Sequence, residues 1–191
     1  WILSFEAAFL SLPCLIALLY REKEGIAFVA VLLVCLAIGL LLVWKKPKNT
    51  VFFAKEGFVS AALCWIIMSI FGALPFVLCG DIPSFTDALF ETISGFTTTG
   101  ASILKDVESL SRCSMFWRCF THWIGGMGVI VFLMTVLPLT GGSWIHLLRA
   151  ESPGPSVGKL VPRMRHTAGI LYLIYLCMTI IEIVLLLFGG M

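Results

Sequence analysis

Three threonines and a glycine follow one another at Thr97-Thr98-Thr99-Gly100, and Ala101 comes directly after them. We call these residues the threonine segment. Backbone carbonyls and threonine hydroxyls are neutral oxygen ligands, and a row of them can replace the water around a cation. Gly100 permits backbone angles that are closed to other residues, which helps to turn a carbonyl oxygen toward a passing ion. The threonine segment is therefore a candidate lining for a cation pore.

A short helix is predicted directly before the threonine segment. Pro83-Ser84 followed by Asp87 is a helix-start signal, with Ser84 as the N-cap and Asp87 in the capping-box position that Glu or Gln normally holds. A helix from Phe85 to Gly95 is about 16 Å long, which is about half of what a membrane crossing needs. Its negative C-terminal end points toward the threonine segment and also favours a cation there.

The chain around these elements is strongly apolar. Apolar residues make up 60% of the sequence and charged residues 13%, and the mean hydropathy is +1.04. A soluble domain has about a quarter of its residues charged, so the composition predicts an all-α integral membrane protein. The net charge of +2 is too small and too scattered to indicate binding to nucleic acid.

Five apolar runs predict five membrane-spanning helices, at 1–20, 26–44, 58–79, about 113–140 and 167–188. The second run contains no charged residue and is about 28 Å long as a helix, which matches a hydrocarbon core of about 30 Å. None of the connectors is long enough for a soluble domain. The chain opens on Trp1 and closes on Gly-Gly-Met directly after an apolar run, so we expect a piece of a longer protein.

The basic residues of the connectors predict the orientation. Connectors 45–57 and 141–166 are rich in Lys and Arg, which the positive-inside rule assigns to the cytoplasm. These residues are Lys45, Lys46, Lys48, Lys55, Arg149, Lys159, Arg163 and Arg165. Connectors 21–25 and 80–112 are balanced or acidic and face outward. The short helix therefore enters from outside, and the threonine segment must be buried in protein or line a watery cavity.

The seven cysteines do not form a metal or redox motif. None of them belongs to a C-x-x-C pair and most lie in apolar runs, so we interpret them as small, reduced hydrophobes. Cys79 and Cys113 fall near the same predicted membrane face, and a disulfide between them is the alternative.

Four stretches of the sequence closely resemble one known family. "ALFETISGFTTTGAS", "FWRCFTHWIGGMGVIVF" and "LLRAESPGPSVGKLVPRMRHTA" resemble the membrane subunit of Trk-type potassium-uptake systems, in the Trk/Ktr/HKT superfamily. The upstream "AKEGFVSAALCWIIMSIFGALPF" is similar to the helix before the first pore loop of that family. The resemblance covers about residues 50–180. It implies helix–re-entrant pore loop–helix repeats of the potassium-channel type, four of them around one pore, each with one filter strand.

The resemblance also implies a division of the chain. It gives two leading transmembrane helices at 1–44, a cytoplasmic linker at 45–57, a first repeat at 58–140, a cytoplasmic connector at 141–166 and the first helix of a second repeat at 167–191. Within the first repeat it implies a pore helix at about 84–95 and a filter at 97–101. The implied ion-binding residues are Thr97, Thr98, Thr99, Gly100 and Ala101, with Gly100 as the signature glycine. The other three filter strands would lie outside this piece.

Potassium uptake across the bacterial inner membrane is the function that the resemblance implies. It implies no enzymatic activity and no cofactor bound by the chain, with the potassium ion as transported substrate. The implied partners are the lipid bilayer, a second copy of the membrane subunit and a cytosolic ring of a separate nucleotide-binding protein. In the resembling superfamily, serine at the position of Gly100 is associated with sodium permeability, so Gly100 indicates potassium. A sodium-permeable or sodium-coupled transporter is the alternative.

Residues of the fourth predicted helix have two interpretations each. Gly125, Gly126 and Gly128 permit either a gating hinge or close packing of helices. Arg118, one helical turn from His122, either adds to the electric field at the pore mouth or extends to the membrane interface.

Two acids lie inside predicted membrane helices, Glu6 and Glu182. Because an acid is costly there, Glu182 raises the question of a role in an ion pathway. The alternative is contact with lipid headgroups or with a polar partner in a further repeat, and the sequence does not decide the role of Glu6.

Three other interpretations compete with a pore. Residues 81–112 could form a surface loop with an amphipathic helix on the membrane, but the order helix, short helix, Thr-rich turn, helix favours a pore unit. An intramembrane serine protease would use Ser94-Gly95 with His122, although Thr92 stands where its motif has glycine. A secondary transporter with broken helices needs an interrupted crossing, whereas this interruption returns to the side it entered.

Overall fold

The computed structural model describes residues 2–44, 54–128 and 161–190 of the chain. Six helices occupy these ranges, and no strand is found within them. The helices are α1 (Ile2–Tyr20), α2 (Gly25–Trp44), α3 (Ala54–Cys79), α4 (Phe85–Phe96), α5 (Arg112–Gly126) and α6 (Val161–Phe188).

Four of these helices are long and apolar enough to cross a membrane. They are α1, α2, the stretch Ala62–Cys79 of α3 and the stretch Gly169–Phe188 of α6, with mean hydropathies between 2.1 and 3.3. The 20 residues of α2 give a length of about 30 Å, which is the thickness of a hydrocarbon core. Within the described residues the chain is helical, with four candidate membrane spans, as the sequence predicts.

The predicted crossing at about 113–140 is described only in part. α5 ends at Gly126, and Met127 and Gly128 follow outside the helix, Gly128 with a φ of 65°. Residues 129–140 lie outside the described residues, so a fifth crossing stays a prediction. The same holds for residues 45–53 of the predicted linker and for 141–160 of the predicted connector.

Two helices begin well before their apolar runs, by four residues in α3 and six in α6. α3 begins at Ala54 inside the predicted linker, and α6 begins at Val161 inside the predicted connector. A helix can continue past the hydrocarbon boundary because its backbone hydrogen bonds are internal, and Pro162 suits a first turn since its missing N–H has no helical partner there. Hydropathy therefore predicts the span within the membrane, not the full length of the helix.

The chain divides into two compact units. The first comprises Trp1–Asn49 and Ser60–Gly126, and the second comprises Thr50–Val59 and Met127–Met191. Among described residues, the first unit holds α1, α2, most of α3, α4 and α5. α6 belongs to the second unit, and the apolar side chains of its span are mostly exposed, as for a helix that meets lipid or another protein.

The core of the first unit lies where α1, α2, α3 and α5 meet. Its fully buried members include Leu10, Phe28, Cys35, Phe76 and Trp117. The indole Nε1 of Trp117 donates a hydrogen bond of 2.9 Å to the backbone carbonyl of Gly72, which joins α5 to α3. This core supports α4, the helix that precedes the threonine segment.

The start of α5 is tied to the loop between α1 and α2. The backbone N–H groups of Arg112 and Cys113 each donate a hydrogen bond of 3.0 Å to the carboxylate of Glu22. The guanidinium of Arg112 also lies 4.3 Å from the ring centre of Tyr20. Burial opposes the ionisation of Glu22, but the hydrogen bonds from Cys113 and Arg112, together with the charge of Arg112, outweigh it and lower the pKa of this carboxyl. Glu22 thus supplies the negative charge that a helix N-terminus favours.

Candidate functional site

α4 ends in a backbone turn that lies within the threonine segment. The N–H of Thr99 donates to the carbonyl of Ser94 at 3.0 Å, and the N–H of Thr98 donates to the carbonyl of Gly95 at 2.9 Å. This pair of bonds defines a Schellman motif, in which the residue after the C-cap is left-handed and is usually glycine. Here that residue is Thr98, with a φ of 54°. The predicted helix over 84–95 thus corresponds to α4, with its C-terminal end at the threonine segment.

The start of α4 differs in one detail from its prediction. Ser84 is the N-cap and has an extended backbone, and its carbonyl accepts the N–H of Ala88 at 3.0 Å. Its side chain makes no capping hydrogen bond. The predicted position of the cap is therefore right, whereas the side-chain bond of a capping box is not formed. Asp87 lies in the first turn, where its charge suits the helix dipole.

The sign of φ alternates along the threonine segment. Thr97 has a φ of −85° and Thr98 one of 54°, and Gly100 has one of 72°. The φ angles of Thr99 and Ala101 are not positive. The N–H groups of the three threonines point back to carbonyls of α4. In a planar trans peptide the carbonyl of the preceding residue points the opposite way, so this turn directs carbonyl oxygens away from α4.

Glycine is favoured at position 100 by the backbone conformation and not by a lack of space for a side chain. Its φ of 72° is left-handed, and a Cβ built on it would meet no atom within 4 Å among the described residues. Residues with a side chain adopt this conformation at a cost of roughly 1–2 kcal/mol.

The threonine hydroxyls bond to one another and to the backbone. Thr97 Oγ1 donates to the carbonyl of Ile93 at 2.7 Å and lies 2.8 Å from Thr99 Oγ1. Thr98 Oγ1 donates to the carbonyl of Thr97 at 2.7 Å. All residues of the threonine segment are exposed in the described part of the chain. The hydroxyls thus stabilise the turn, and the segment keeps an open face.

The chain that follows Gly100 is fastened to α4 by two side chains. Ser94 Oγ donates a hydrogen bond of 2.6 Å to the carbonyl of Ala101. Glu91 Oε1 accepts a hydrogen bond from Ser102 Oγ and another, of 2.8 Å, from the backbone N–H of Ile103. We call residues 101–103 the return strand. These bonds hold the return strand alongside the helix that leads into the threonine segment.

Glu91 also carries an ion pair with α5. Arg118 Nε lies 3.0 Å from Glu91 Oε2, and the two side chains are 14% and 0% exposed. The guanidinium of Arg118 thus meets a buried carboxylate, and its predicted place at the pore mouth or at the membrane interface stays a prediction. His122 Nδ1 lies 2.9 Å from the backbone carbonyl of Arg118, one turn earlier in the same helix.

Glycines allow α4 and α5 to cross closely. A Cβ on Gly125 would overlap the carbonyl oxygen of Phe96 and lie 2.8 Å from its carbonyl carbon, and a Cβ on Gly95 would overlap the hydroxyl of Thr121. Gly126 ends α5 and Gly128 is left-handed. The predicted glycine group therefore includes one residue, Gly125, at a backbone contact with the last turn of α4.

The serine and histidine of a protease do not form a pair. The hydroxyl of Ser94 is bonded to the carbonyl of Ala101, and His122 Nδ1 contacts a carbonyl of its own helix. No hydrogen bond between the two side chains occurs among those described. All seven cysteines are free, and Cys79 Sγ lies 3.6 Å from Ser114 Oγ, so the alternative disulfide between Cys79 and Cys113 is absent.

The two acids inside predicted membrane helices differ in their surroundings. Glu6 is fully buried in α1, beside Gly72 of α3, and its carboxylate oxygens have no hydrogen-bond partner in the described part of the structure. Glu182 is exposed on α6.

Glu91 and Ser102 are site residues that sequence reasoning missed. Glu91 had counted only as one of several acids in an outward-facing connector. A signal was available, because an acid in the middle of a short helix at membrane depth needs a cation partner, and Arg118 is the basic residue inside the next predicted helix.

Comparisons with known proteins agree with this architecture. The family described as "TrkH: Cation transport protein" matches residues 24–189. "Trk system potassium uptake protein TrkH" of Escherichia coli (strain K12) is 42% identical over 185 residues, which are 94% of this chain and 38% of that protein. "Trk system potassium uptake protein TrkG" of the same strain is 36% identical over 182 residues, again 94% of this chain and 38% of that protein.

One solved structure is similar in fold as well as in sequence. The crystal structure of the potassium transporter TrkH from Vibrio parahaemolyticus matches with a TM-score of 0.69 and 34% identity, over 93% of this chain and 35% of that chain. The chain thus spans less than two fifths of the length of the relatives it matches.

Proposed function

The chain belongs to the TrkH family of cation transport proteins, and we propose from this premise that it supplies the first pore-forming repeat of a potassium-uptake protein. Its family and its apolar spans also put the chain in the cell inner membrane. In this proposal α3, α4 with the threonine segment, and α5 form one helix–pore loop–helix repeat. α1 and α2 precede the repeat, and α6 begins the next one.

A complete pore needs three further filter strands, which the proposal assigns to three further repeats. We call the chain together with these repeats the full-length protein. Its partners in the proposal are the lipid bilayer, a second copy of itself and a cytosolic nucleotide-binding ring. The proposal also includes a cytoplasmic linker at 45–57, a fifth crossing at about 113–140 and a cytoplasmic connector at 141–166.

The turn that closes α4 is the observation that carries the proposal. A potassium ion loses its water only where several oxygens replace it at once, and the N–H groups that this turn ties back to α4 leave carbonyl oxygens pointing away from the helix. Thr97, Thr98, Thr99 and Gly100 supply these oxygens in the proposal. Ala101 completes the strand, with its own carbonyl held by Ser94.

Two further features favour a cation at this place. The C-terminal end of α4 carries a partial negative charge of about half an electron, and it ends within the threonine segment. Arg118 of α5 is paired with Glu91, so its charge is compensated. Potassium is the ion proposed, and a sodium-permeable or sodium-coupled transporter is the alternative within the same superfamily.

Replacement of Gly100 by serine in the full-length protein tests the proposal. A side chain opposes the φ of 72° and is expected to rotate the carbonyl away from the ion. We expect the K⁺/Na⁺ uptake ratio to fall by about tenfold, which corresponds to about 1.4 kcal/mol of differential site energy. The measurement is cation flux, normalised to protein in the membrane, in bacteria that lack other potassium-uptake systems.

Gly80 provides a matched control. It has a φ of 86° and, like Gly100, no described atom within 4 Å of a built Cβ, but it lies in the loop after α3. Gly80→Ser should therefore cost similar backbone strain while the ion ratio stays at the parent value. An unchanged ratio in Gly100→Ser, with normal protein levels, would remove the threonine segment from the filter.

A further inference from the structure

A single buried carboxylate joins the return strand to α5. One oxygen of Glu91 accepts the hydroxyl of Ser102 and the N–H of Ile103, and the other accepts the Nε of Arg118 at 3.0 Å. The Glu91 side chain is 0% exposed. Both oxygens are therefore occupied, each by a different structural element.

The position of this carboxylate is fixed from three directions. Its own backbone belongs to α4, its arginine partner belongs to α5, and its two other donors belong to the return strand. Removal of one member of a buried ion pair leaves the other charge uncompensated, which is more damaging than removal of both. The pair can therefore be tested by comparison of single and double substitutions.

We propose that the Glu91–Arg118 ion pair positions the filter. Glu91 holds the return strand against α4, and its bond to Arg118 fixes α4 and the return strand relative to α5. Glu91 and Arg118 are positioning residues and do not touch the ion. This inference rests on the proposed function, because it assumes that the threonine segment binds a cation. It assigns selectivity in part to a salt bridge behind the filter.

A shift in the position of the return strand reaches Gly100 directly. Ala101, whose carbonyl is bonded to Ser94, is adjacent to Gly100 and one residue from Ser102. If the carboxylate of Glu91 is lost, the Ser102 and Ile103 donors lose a charged acceptor, and charge-assisted bonds are about twice as strong as neutral ones. The same carbonyl oxygens then still face the ion, but the distances between them are no longer fixed.

The experiment compares Glu91→Gln, Arg118→Gln and the double variant in the full-length protein. We expect each single variant to lower the K⁺/Na⁺ uptake ratio by about tenfold, and we expect the double variant to lower it by less than the product of the two single effects. Flux is normalised to folded protein, measured by size-exclusion chromatography in detergent. Selectivity is the readout because a defect of folding alone lowers the amount of active protein and not the ratio of two ions.

Glu22→Gln is the matched control. Glu22 also accepts two donors at 3.0 Å, but at the start of α5, far along the chain from the threonine segment. We expect this variant to lower the yield of folded protein and leave the ion ratio unchanged. Should the single variants not fold, Ser102→Ala keeps the ion pair and removes one donor, and we expect it to lower the ratio by about threefold, less than a full loss of the carboxylate would.

The outcomes separate this inference from the proposed function. A shifted ion ratio in Gly100→Ser, with parent ratios in Glu91→Gln, Arg118→Gln and Ser102→Ala, would overturn the positioning role alone. Parent ratios in all of these variants would overturn the proposed function as well. Equal shifts in Glu22→Gln and Glu91→Gln would also contradict the inference, because any loosening of α5 would then suffice.

Discussion

Thr98 has a backbone conformation that normally belongs to glycine. Its φ of 54° lies in the left-handed region, and for a β-branched residue this is a true outlier. Such strain costs of order 1–3 kcal/mol and persists where the surroundings fix it. Here the surroundings are the two hydrogen bonds of the Schellman motif and the hydroxyl bond to Thr97. The threonine is therefore kept at the expense of stability.

Thr98→Gly is expected to stabilise the full-length protein by about 1 kcal/mol, because glycine adopts this φ without steric cost. Thr98→Ala removes the hydroxyl and keeps the strain, so it should not stabilise. Thermal unfolding in detergent micelles distinguishes the two variants. Equal melting temperatures for both would mean that the strain is absent and that only the hydroxyl matters.

At the residue scale, the sequence indicates candidate ligands more directly than it indicates the residues that hold them in place. The threonines and Gly100 stand in one short stretch, and their chemistry is visible without knowledge of the fold. Glu91 and Arg118 are separated by 27 residues, and their opposite charges suggest a pairing without showing that the two side chains meet. The pairing depends on how α4 and α5 pack, which is a tertiary property.

The elements of the fold follow from hydropathy more closely than from capping signals. The starts and ends of α1 and α2 lie within one residue of the predicted runs, because an apolar run between charged connectors has few alternatives in a membrane. The capping box at Ser84 was less informative, since its side chain makes no bond. The end of α4 was predicted at Gly95, whereas the helix continues to Phe96 and is closed by Thr98, where the sequence carries no glycine.

The crossing of α4 and α5 gives a prediction at this scale. Gly125→Ala places a methyl group against the backbone of Phe96, which cannot rotate away as a side chain can. We expect a loss of roughly 1–3 kcal/mol of stability, measured as a lower unfolding temperature of the full-length protein. Gly169→Ala is the control, because it lies in α6 with no described atom within 4 Å of a built Cβ. Equal effects of the two substitutions would contradict the close crossing.

For the whole molecule, the sequence predicts the orientation in the membrane, and chemical labelling of cysteines can test it. The predicted outward connector contains Ser109, which is exposed. The predicted cytoplasmic linker contains Lys48, which lies outside the described residues. The prediction rests on the excess of Lys and Arg in the linker.

In a variant without the seven native cysteines, a cysteine at position 109 should react with an impermeant maleimide added to intact cells. A cysteine in place of Lys48 should react only after the membrane is permeabilised. Both positions are expected to be accessible to water, so a difference in labelling between them reports the side of the membrane and not burial. A reversed pattern would invert the topology and put the threonine segment at the cytoplasmic face.

The long-range contacts of α5 have a consequence for how the protein is made. The ribosome releases the α1–α2 hairpin first, then α4, and only afterwards α5, whose N–H groups bond to Glu22 across 90 residues of sequence. At about 5–20 residues per second, Arg118 emerges a few seconds after Glu91. During that interval α4 lacks both its charge partner and the glycine surface on which it packs, and a non-helical segment without burial is unstable in lipid. We therefore expect α4 and the threonine segment to enter the bilayer only after α5 has been synthesised.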